Sequence, residues 1–299
     1  MTALEARMLY LHALSPVHTG TGQGTGVIDL PVARETTTGW PYIPGSSIKG
    51  VLRARCTPSA GVTGAATNCF EEAFGPPTER ASDGAGALTF ADGRLLCLPV
   101  RSLFGTFAWV TCPLALDRYR RDHATSRLPM PPVMDLAALH TDSPLSVVVA
   151  ADSMLADRGT VYLEDLDLQV VEAQPAAMAT HIASSVFDDP TWQEHFRRRF
   201  AVVSDTTFSF LAEVGTEVDA RIQIDEDRKT AKDGHLWYEE AIPAESIFSA
   251  PVLAVPRNGT KAGALYELLV KGAGGVVQIG GHASVGRGLM EIKLVGGAQ

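Results

Sequence analysis

The chain has 299 residues, enough for one large domain or two ordinary ones. A composition of 45% hydrophobic and 20% charged residues excludes a largely disordered chain. Its net charge of −9 excludes a protein whose whole surface grips nucleic acid, because phosphate binding rests on clustered Lys and Arg.

The N-terminal stretch predicts a strand, with Ala6, Met8, Tyr10 and His12 on one face and Arg7, Leu9 and Leu11 on the other. Both faces are apolar enough for an interior position. Next comes SPVHTGTGQGTGVIDLP, in which Gly20, Gly22, Gly24 and Gly26 recur at every second position, a loop that lets a ligand approach its backbone. A helix is expected over residues 46–55, capped by Ser46 or Ser47, with Ile48, Val51, Leu52 and Arg55 on one face. Residues 57–87 read as an irregular insertion around a small FEEAFG helix.

LTFADGRLLCLPVRS predicts a hairpin turning at Asp92 and Gly93, and SLFGTFAWV continues at helical spacing to Pro113, which opens a helix bearing Arg118, Arg120 and Arg121. Further on, TVYLEDLDLQVV predicts one strand with an acidic face. DDPTWQEHFRRRFAVV predicts a helix with Asp189 as cap, Pro190 in its first turn and Trp192, Phe196 and Phe200 inward. From Asp205 the pattern turns to strands, TFSFLAEV and then TEVDARIQI. A polar stretch follows, so residues 215–245 predict a projecting two-stranded arm. The chain ends with a helix over residues 264–271 stopped by Gly272, a strand VVQI, a loop GGHASVGRG and a strand LMEIKLV. Strands and helices mixed without strict alternation give an α+β fold.

Charge is segregated along the chain. Residues 34–55 and 94–127 together carry ten bases against three acids, whereas residues 135–175 and 204–250 each sum to −7. Basic regions therefore exist despite the total, although any one run also reads as a solvated face. Cys56, Cys69, Cys97 and Cys112 are 13, 28 and 15 positions apart, with no CxxC pair; reduced, mostly buried thiols in a reducing cytoplasm are expected. The first residues lack the uninterrupted apolar core of a signal peptide, and no run is long enough to cross a membrane.

The glycine loops fit neither standard nucleotide pattern. Gly45 is followed by Ser-Ser rather than Lys-Ser, Gly20 and Gly22 have Thr25 where a third glycine belongs, and Gly22 and Gly24 have Val27. Three loops remain, at 20–26, 45–50 and 280–288, whose small residues, backbone amides and nearby Lys49 and Arg287 can cradle a phosphodiester backbone without reading bases.

SPVHTGTGQGTGVIDLPVARE followed by TGWPYIPGSSIKGVLR resembles the N-terminal signature of the RAMP superfamily of CRISPR proteins, and more narrowly the Cmr-module backbone subunit of type III-B effector complexes. The resemblance extends through RLLCLPVRSLFGTFAWVTCP, SDTTFSFLAEVGTEVDARIQID, KTAKDGHLWYEEAIP and IGGHASVGRG; residues 57–87 and 135–175 match poorly. It implies a single RAMP domain over residues 1–299 with a ferredoxin-like palm related to the RNA-recognition fold, finger insertions, and the arm at 215–245 as a β-hairpin thumb. It also implies partners: CRISPR RNA, complementary target RNA, further copies stacked head to tail, and other Cmr-module subunits including the large polymerase-like one. Head-to-tail stacking is a heterologous interface, for which patches of both signs on one chain make sense. The implied activity is cleavage of target RNA at regular intervals beside each thumb, using the RNA's own 2′-hydroxyl and a divalent metal, Mg2+ or Mn2+.

By that resemblance Asp29, in VIDLP, stands where the cutting aspartate lies; on the residues alone, an Asp after a glycine loop is more often a turn or cap. A carboxylate with the ordinary pKa of ~3.9 is a poor proton acceptor at neutral pH, whereas as a ligand for a hard cation it needs no shift, so metal ligand or electrostatic positioner is the favoured role. His18 matches a histidine that relatives keep, and reads either as a donor to phosphate or as a loop histidine bonded to backbone. Glu239 is a second carboxylate for a metal shared with Asp29. Ser46, Ser47 and Lys49 at a helix start, with Arg53 a turn on, are expected at guide-RNA phosphate. Tyr238 and Trp237 read as base-stacking or packing residues, and Gly280, Gly281 and Arg287 resemble the C-terminal loop that approaches RNA. Two alternatives stand beside this reading: a guide-binding subunit that does not cut, and a metal-independent CRISPR RNA processing endonuclease using His12 or His18.

Overall fold

The computed structural model describes residues 5–24, 26–59, 64–137, 139, 145–172, 174–225, 228–255 and 260–296. Parts of the expected 57–87 insertion, the 135–175 stretch and the arm tip therefore lie outside the described residues. In chain order the elements begin with strand β1 (Glu5–Ala13), the glycine-rich loop, β2 (Tyr42–Ile43) and helix α1 (Gly45–Cys56). Helix α2 (Ala65–Phe74), a 3-10 turn (Thr78–Asp83), β3 (Leu88–Phe90), β4 (Gly93–Arg101), β5 (Phe107–Thr111) and α3 (Pro113–Thr125) follow. Four short strands, β6 (Ser146–Val149), β7 (Ala156–Asp157), β8 (Thr160–Leu163) and β9 (Leu166–Val170), precede α4 (Ala176–Val186), α5 (Pro190–Arg199), β10 (Phe200–Val203) and α6 (Asp205–Val214). The chain then forms β11 (Glu217–Ile224), β12 (Ala231–Ala241), β13 (Ile247–Ala254), α7 (Ala262–Ala273), β14 (Val276–Gln278) and β15 (Leu289–Val295).

Among the described residues, thirteen strands make one mostly antiparallel sheet in the order β14-β15-β1-β13-β4-β5-β10-β6-β9-β8-β7, with β2 beside β4 and β3 beside β13. Strand β1 lies inside it, antiparallel to β13 on one side and β15 on the other. Alternation along β1 sends Leu9, Leu11 and Ala13 into a core under α1 and α7, and Met8 and Tyr10 into a second core under α3, α4 and α5. Each buried Leu or Met among them contributes about 1.5–3 kcal/mol of transfer free energy, so both faces of β1 fix its register. The run β15-β1-β13-β4 carries a helix after β1 (α1) and another after β13 (α7), a β-α-β-β-α-β unit at one end of the sheet.

Several local expectations are corrected. Asp92 and Gly93 do not turn a hairpin: β3 and β4 both pair with β13, at Val252–Ala254 and Ile247–Ser249 respectively. Asp92 instead accepts a hydrogen bond from the Gly45 amide at 2.8 Å, so this aspartate caps α1 from outside and neither Ser46 nor Ser47 does. Arg55 is exposed, and Gly45, Ile48, Leu52 and Cys56 form the buried face of α1. The SLFGTFAWV segment is a turn and a strand rather than a helix, because Gly105 and Thr106 adopt φ of +73° and +75° and return β5 antiparallel to β4. TVYLEDLDLQVV likewise folds back as the β8-β9 hairpin, with Glu164 at φ +49°. The DDPTWQEHFRRRFAVV helix ends at Arg199, and its last residues leave it as β10; Asp189 caps it as expected, while Trp192 is exposed.

TFSFLAEV belongs to α6, whose cap is Ser204 accepting from the Thr207 amide; Phe208, Leu211 and Ala212 then fall on one buried helical face. Gly272 lies inside α7 rather than ending it. A Cβ there would stand 2.4 Å from Cys56 Sγ, so the missing side chain is what lets α7 pack against α1. All four cysteines are free, with Cys69 half-buried and the others buried. Burial raises each thiol pKa, that of Cys56 to about 11, leaving protonated, inert thiols.

Candidate functional site

The arm is a separate two-stranded sheet of β11 and β12 in which Ala220 faces Tyr238, Arg221 faces Trp237 and Ile222 faces Leu236. The two-residue period of a strand gives it unlike faces. Asp219, Arg221, Trp237 and Glu239 share the charged one, while Val218, Ile222, Leu236 and Tyr238 share one that is exposed.

The segment that follows the glycine loop lies along β12, with the Leu30 amide donating to Tyr238 O at 3.1 Å and the Glu240 amide to Leu30 O at 3.0 Å. That places Asp29 beside Tyr238. Asp29 Oδ2 accepts from the Tyr238 amide at 2.8 Å, and its carbonyl accepts from the Gly24 amide at 2.8 Å. The side chain is exposed and borders an open cleft of about 400 Å³ with Gln23, Gly24, Leu30 and Trp237. Its Oδ1 has no protein partner among the described residues.

Beneath it sits a carboxylate that the sequence reading did not single out. Glu240 is 2% exposed; its Oε2 accepts from the Val32 amide at 2.9 Å, and its Oε1 from Arg34 at 2.5 Å and Thr216 at 2.8 Å. The available signal was strand parity: of two consecutive glutamates on one strand, each takes a different face, and a buried one needs a cation.

Glu239 is buried on the opposite face. Its Oε1 accepts from Trp237 Nε1 at 2.8 Å and its Oε2 from Arg221 Nε at 3.2 Å, with His282 Nδ1 3.8 Å away. Burial by itself would raise its pKa, but the Trp237 hydrogen bond, His282 and Arg221 together hold it below the usual carboxylate range. Both oxygens are thus already engaged. Among the described residues no group of three or more His, Cys, Asp or Glu side chains gathers to hold a metal.

His18 is buried, with Nδ1–H donating to Glu240 O at 2.7 Å and its ring edge-on to His282 at 4.8 Å. Of the two expected roles, the histidine bonded to backbone is the one the geometry displays. Loop 280–288 presses on it: Gly281 N donates to His18 O at 2.8 Å, and Gly280, at φ +93°, would carry a Cβ 2.4 Å from that oxygen. The glycines at 280 and 281 therefore serve a close backbone crossing. Arg287, expected at RNA, is only 6% exposed and donates from Nη2 to Asp219 of the arm, while its buried Nη1 has no partner among the described residues.

At the start of α1, Ser46 is exposed, Ser47 is half-buried, and Lys49 is half-exposed with no ion-pair partner among the described residues. Arg53 is engaged elsewhere. It donates to the carbonyls of Phe74 and Pro76, both at 3.0 Å, and lies over the Phe70 ring, which ties α1 to the end of α2. The basic stretch at 94–127 is also partly neutralised inside the fold, by Arg94 on both oxygens of Asp122 at 2.9 Å and Arg118 on both oxygens of Glu35 at 2.8 Å. Among the described residues, no helix is long and apolar enough to cross a membrane.

Comparison with known proteins agrees with this architecture. The model of the RAMP superfamily matches residues 10–291. The CRISPR system Cmr endoribonuclease Cmr4 of Pyrococcus furiosus is 33% identical over 297 residues, covering 97% of this chain and 96% of the relative. A crystal structure of oligomeric Cmr4 from the same organism superposes with a TM-score of 0.73 at 26% identity, over 98% of each chain. A cryo-EM structure of the type III-B Cmr-beta complex bound to cognate target RNA contains a chain of the same fold, with a TM-score of 0.73, 21% identity and 98% coverage of both. The chain belongs to the RAMP superfamily and, within it, to the Cmr4 family of CRISPR proteins.

Proposed function

We propose that this chain is the CRISPR RNA-binding backbone subunit of a type III-B effector complex, stacks with further copies of itself, and cuts complementary target RNA at regular intervals. The observation that carries this reading is Asp29, an exposed carboxylate with one free oxygen, held by the Tyr238 amide at the junction of glycine loop and arm. Around it the other charged groups are consumed by internal pairs. The strand order β15-β1-β13-β4 with its two helices supports a ferredoxin-like palm, and the separate β11-β12 sheet supports the thumb assignment.

The reaction is attack of an RNA 2′-hydroxyl on the adjacent phosphate, which expels the 5′-oxygen and leaves a cyclic phosphate. One carboxylate oxygen completed by waters and RNA phosphates suits Mg2+ or Mn2+, so Asp29 is the residue that would hold the ion, which when bound stabilises charge on the phosphate. Asp29 itself orients that centre, Tyr238 N–H fixes the carboxylate, and Trp237 borders the cleft beside it. Lys49, unpaired among the described residues, offers a cation to guide phosphates, and Ser46 and Ser47 offer hydroxyls. His12 and His18, which a metal-independent endonuclease would use, are both buried, His12 Nε2 being bonded to Glu245 at 2.8 Å.

The test is cleavage of labelled complementary RNA by the complex assembled on guide RNA. Asp29→Ala is expected to lower the cleavage rate by about 100-fold or more, with target affinity within about 3-fold, and EDTA to do the same to the wild type. Cutting that survives both treatments overturns the assignment.

A further inference from the structure

We propose that Arg287 is a positioning residue for Asp29: through Asp219 it fastens the arm to loop 280–288 and thereby sets the strand segment that carries the cutting carboxylate. This rests on the ribonuclease reading above.

A two-stranded sheet is marginal by itself, so its orientation must be imposed from outside. On one face of the arm Val218, Ile222 and Leu236 are 49%, 51% and 57% exposed, and Glu240 at its base is held by Arg34, Thr216 and the Val32 amide. Beyond that base, fixation comes from the charged face. Arg287 donates to Asp219 Oδ2, and Arg221 lies 3.4 Å from that oxygen. Arg221 Nε donates in turn to Glu239 at 3.2 Å, which also accepts from Trp237 Nε1 at 2.8 Å. The next residue along β12 is Tyr238, whose amide holds Asp29. A continuous chain of charge-assisted contacts thus runs from loop 280–288 to the site.

The loop end of that chain is anchored. Gly281 N donates to His18 O and Gly288 N to Pro16 O, both at 2.8 Å, on either side of Arg287. A guanidinium that is 6% exposed and paired with one half-exposed carboxylate is a costly arrangement for stability, and it is too enclosed to reach a phosphate. Its use is to specify one orientation of the arm. Displacement of a reacting group by ~1 Å costs about 100-fold in rate, so a loosened arm reaches the chemistry before it reaches binding.

The experiment compares Arg287→Met, Arg287→Lys, Asp219→Asn and the Arg287→Met/Asp219→Asn double variant, as uncomplexed protein and as assembled complex. In the uncomplexed protein, Arg287→Met is expected to speed hydrogen exchange at the Tyr238 and Glu240 amides by about 10-fold while β1 and β13 amides are unchanged. In the complex it lowers the cleavage rate at saturating target by about 10-fold with affinity within about 3-fold; Arg287→Lys restores most of the rate, and adding Asp219→Asn costs less than about 2-fold more. Unchanged exchange at Tyr238 overturns the proposal. So does a 10-fold or greater weakening of guide binding with the saturated rate intact, which would make Arg287 an RNA contact. Asp29→Ala is measured alongside. If it cuts at the wild-type rate the ribonuclease reading fails, and the exchange data still decide whether Arg287 holds the arm.

Discussion

At Glu240, Arg34, Thr216 and the Val32 amide converge on one buried carboxylate, and the backbone of the same residue receives His18 and returns a bond to Leu30. The residue therefore joins glycine loop, arm and α6 end at a single point. Glu240→Gln keeps the shape but replaces one acceptor oxygen by a donor facing either Arg34 or the Val32 amide. Leaving a buried partner uncompensated costs about 3–5 kcal/mol, and because a quarter of the Arg34 side chain is exposed the lower end applies, so about 3 kcal/mol is expected in urea unfolding. A loss below ~0.5 kcal/mol, the range of ordinary surface substitutions, would show that the three donors find water instead. Asp29 was singled out through the resemblance that VIDLP carries and not by its place after the glycine run, whereas the contacts of Glu240 and Arg287 were not legible at all. Their roles depend on which face of a strand or loop is covered, and that is decided by partners 68 to 208 positions away.

Between elements, the seam of α3 and α4 shows the same dependence on tertiary contacts. Tyr119 Oη and His181 Nε2 share a hydrogen bond at 3.0 Å, Tyr10 meets Tyr119, and the His123 and His181 rings lie 5.8 Å apart. Burial lowers both histidine pKa values, and for His181 the neighbouring His123 lowers it further. In the unfolded chain these groups titrate near ~6.5, so below that pH the unfolded state binds protons that the native state refuses. Stability from this seam is complete above ~6.5 and falls as pH drops toward the depressed native values. Unfolding midpoints should therefore decline between pH 7 and 5.5, and His181→Gln should flatten that decline; an equal slope in the variant would place the proton uptake elsewhere. Elements with punctuation, such as Asp189 and Pro190 before α5, were readable from sequence. SLFGTFAWV and TFSFLAEV were not, because short apolar runs fit either period, and the decision fell to Gly105 and Thr106 at positive φ and to the Ser204 cap.

For the whole molecule, the net charge of −9 conceals basic segments whose cations are largely committed: Arg34 to Glu240, Arg94 to Asp122, Arg118 to Glu35, Arg101 to Glu164 and Arg53 to two carbonyls. What remains for RNA in these segments of one copy is a sparse set that includes Lys49 and the exposed Arg55. A continuous basic path then requires several copies side by side, so isolated protomers should bind RNA weakly and steeply less with salt, whereas the stacked assembly holds the guide. Lys49→Glu tests the premise directly. If Lys49 neutralises one guide phosphate in every copy, the slope of log affinity against log salt falls by about 0.7 per copy for single-stranded RNA, and affinity falls with it. Titrations of assembled complexes across salt concentrations measure that slope; one that does not change would mean that Lys49 faces away from the guide and that the path runs through backbone amides of the glycine loops.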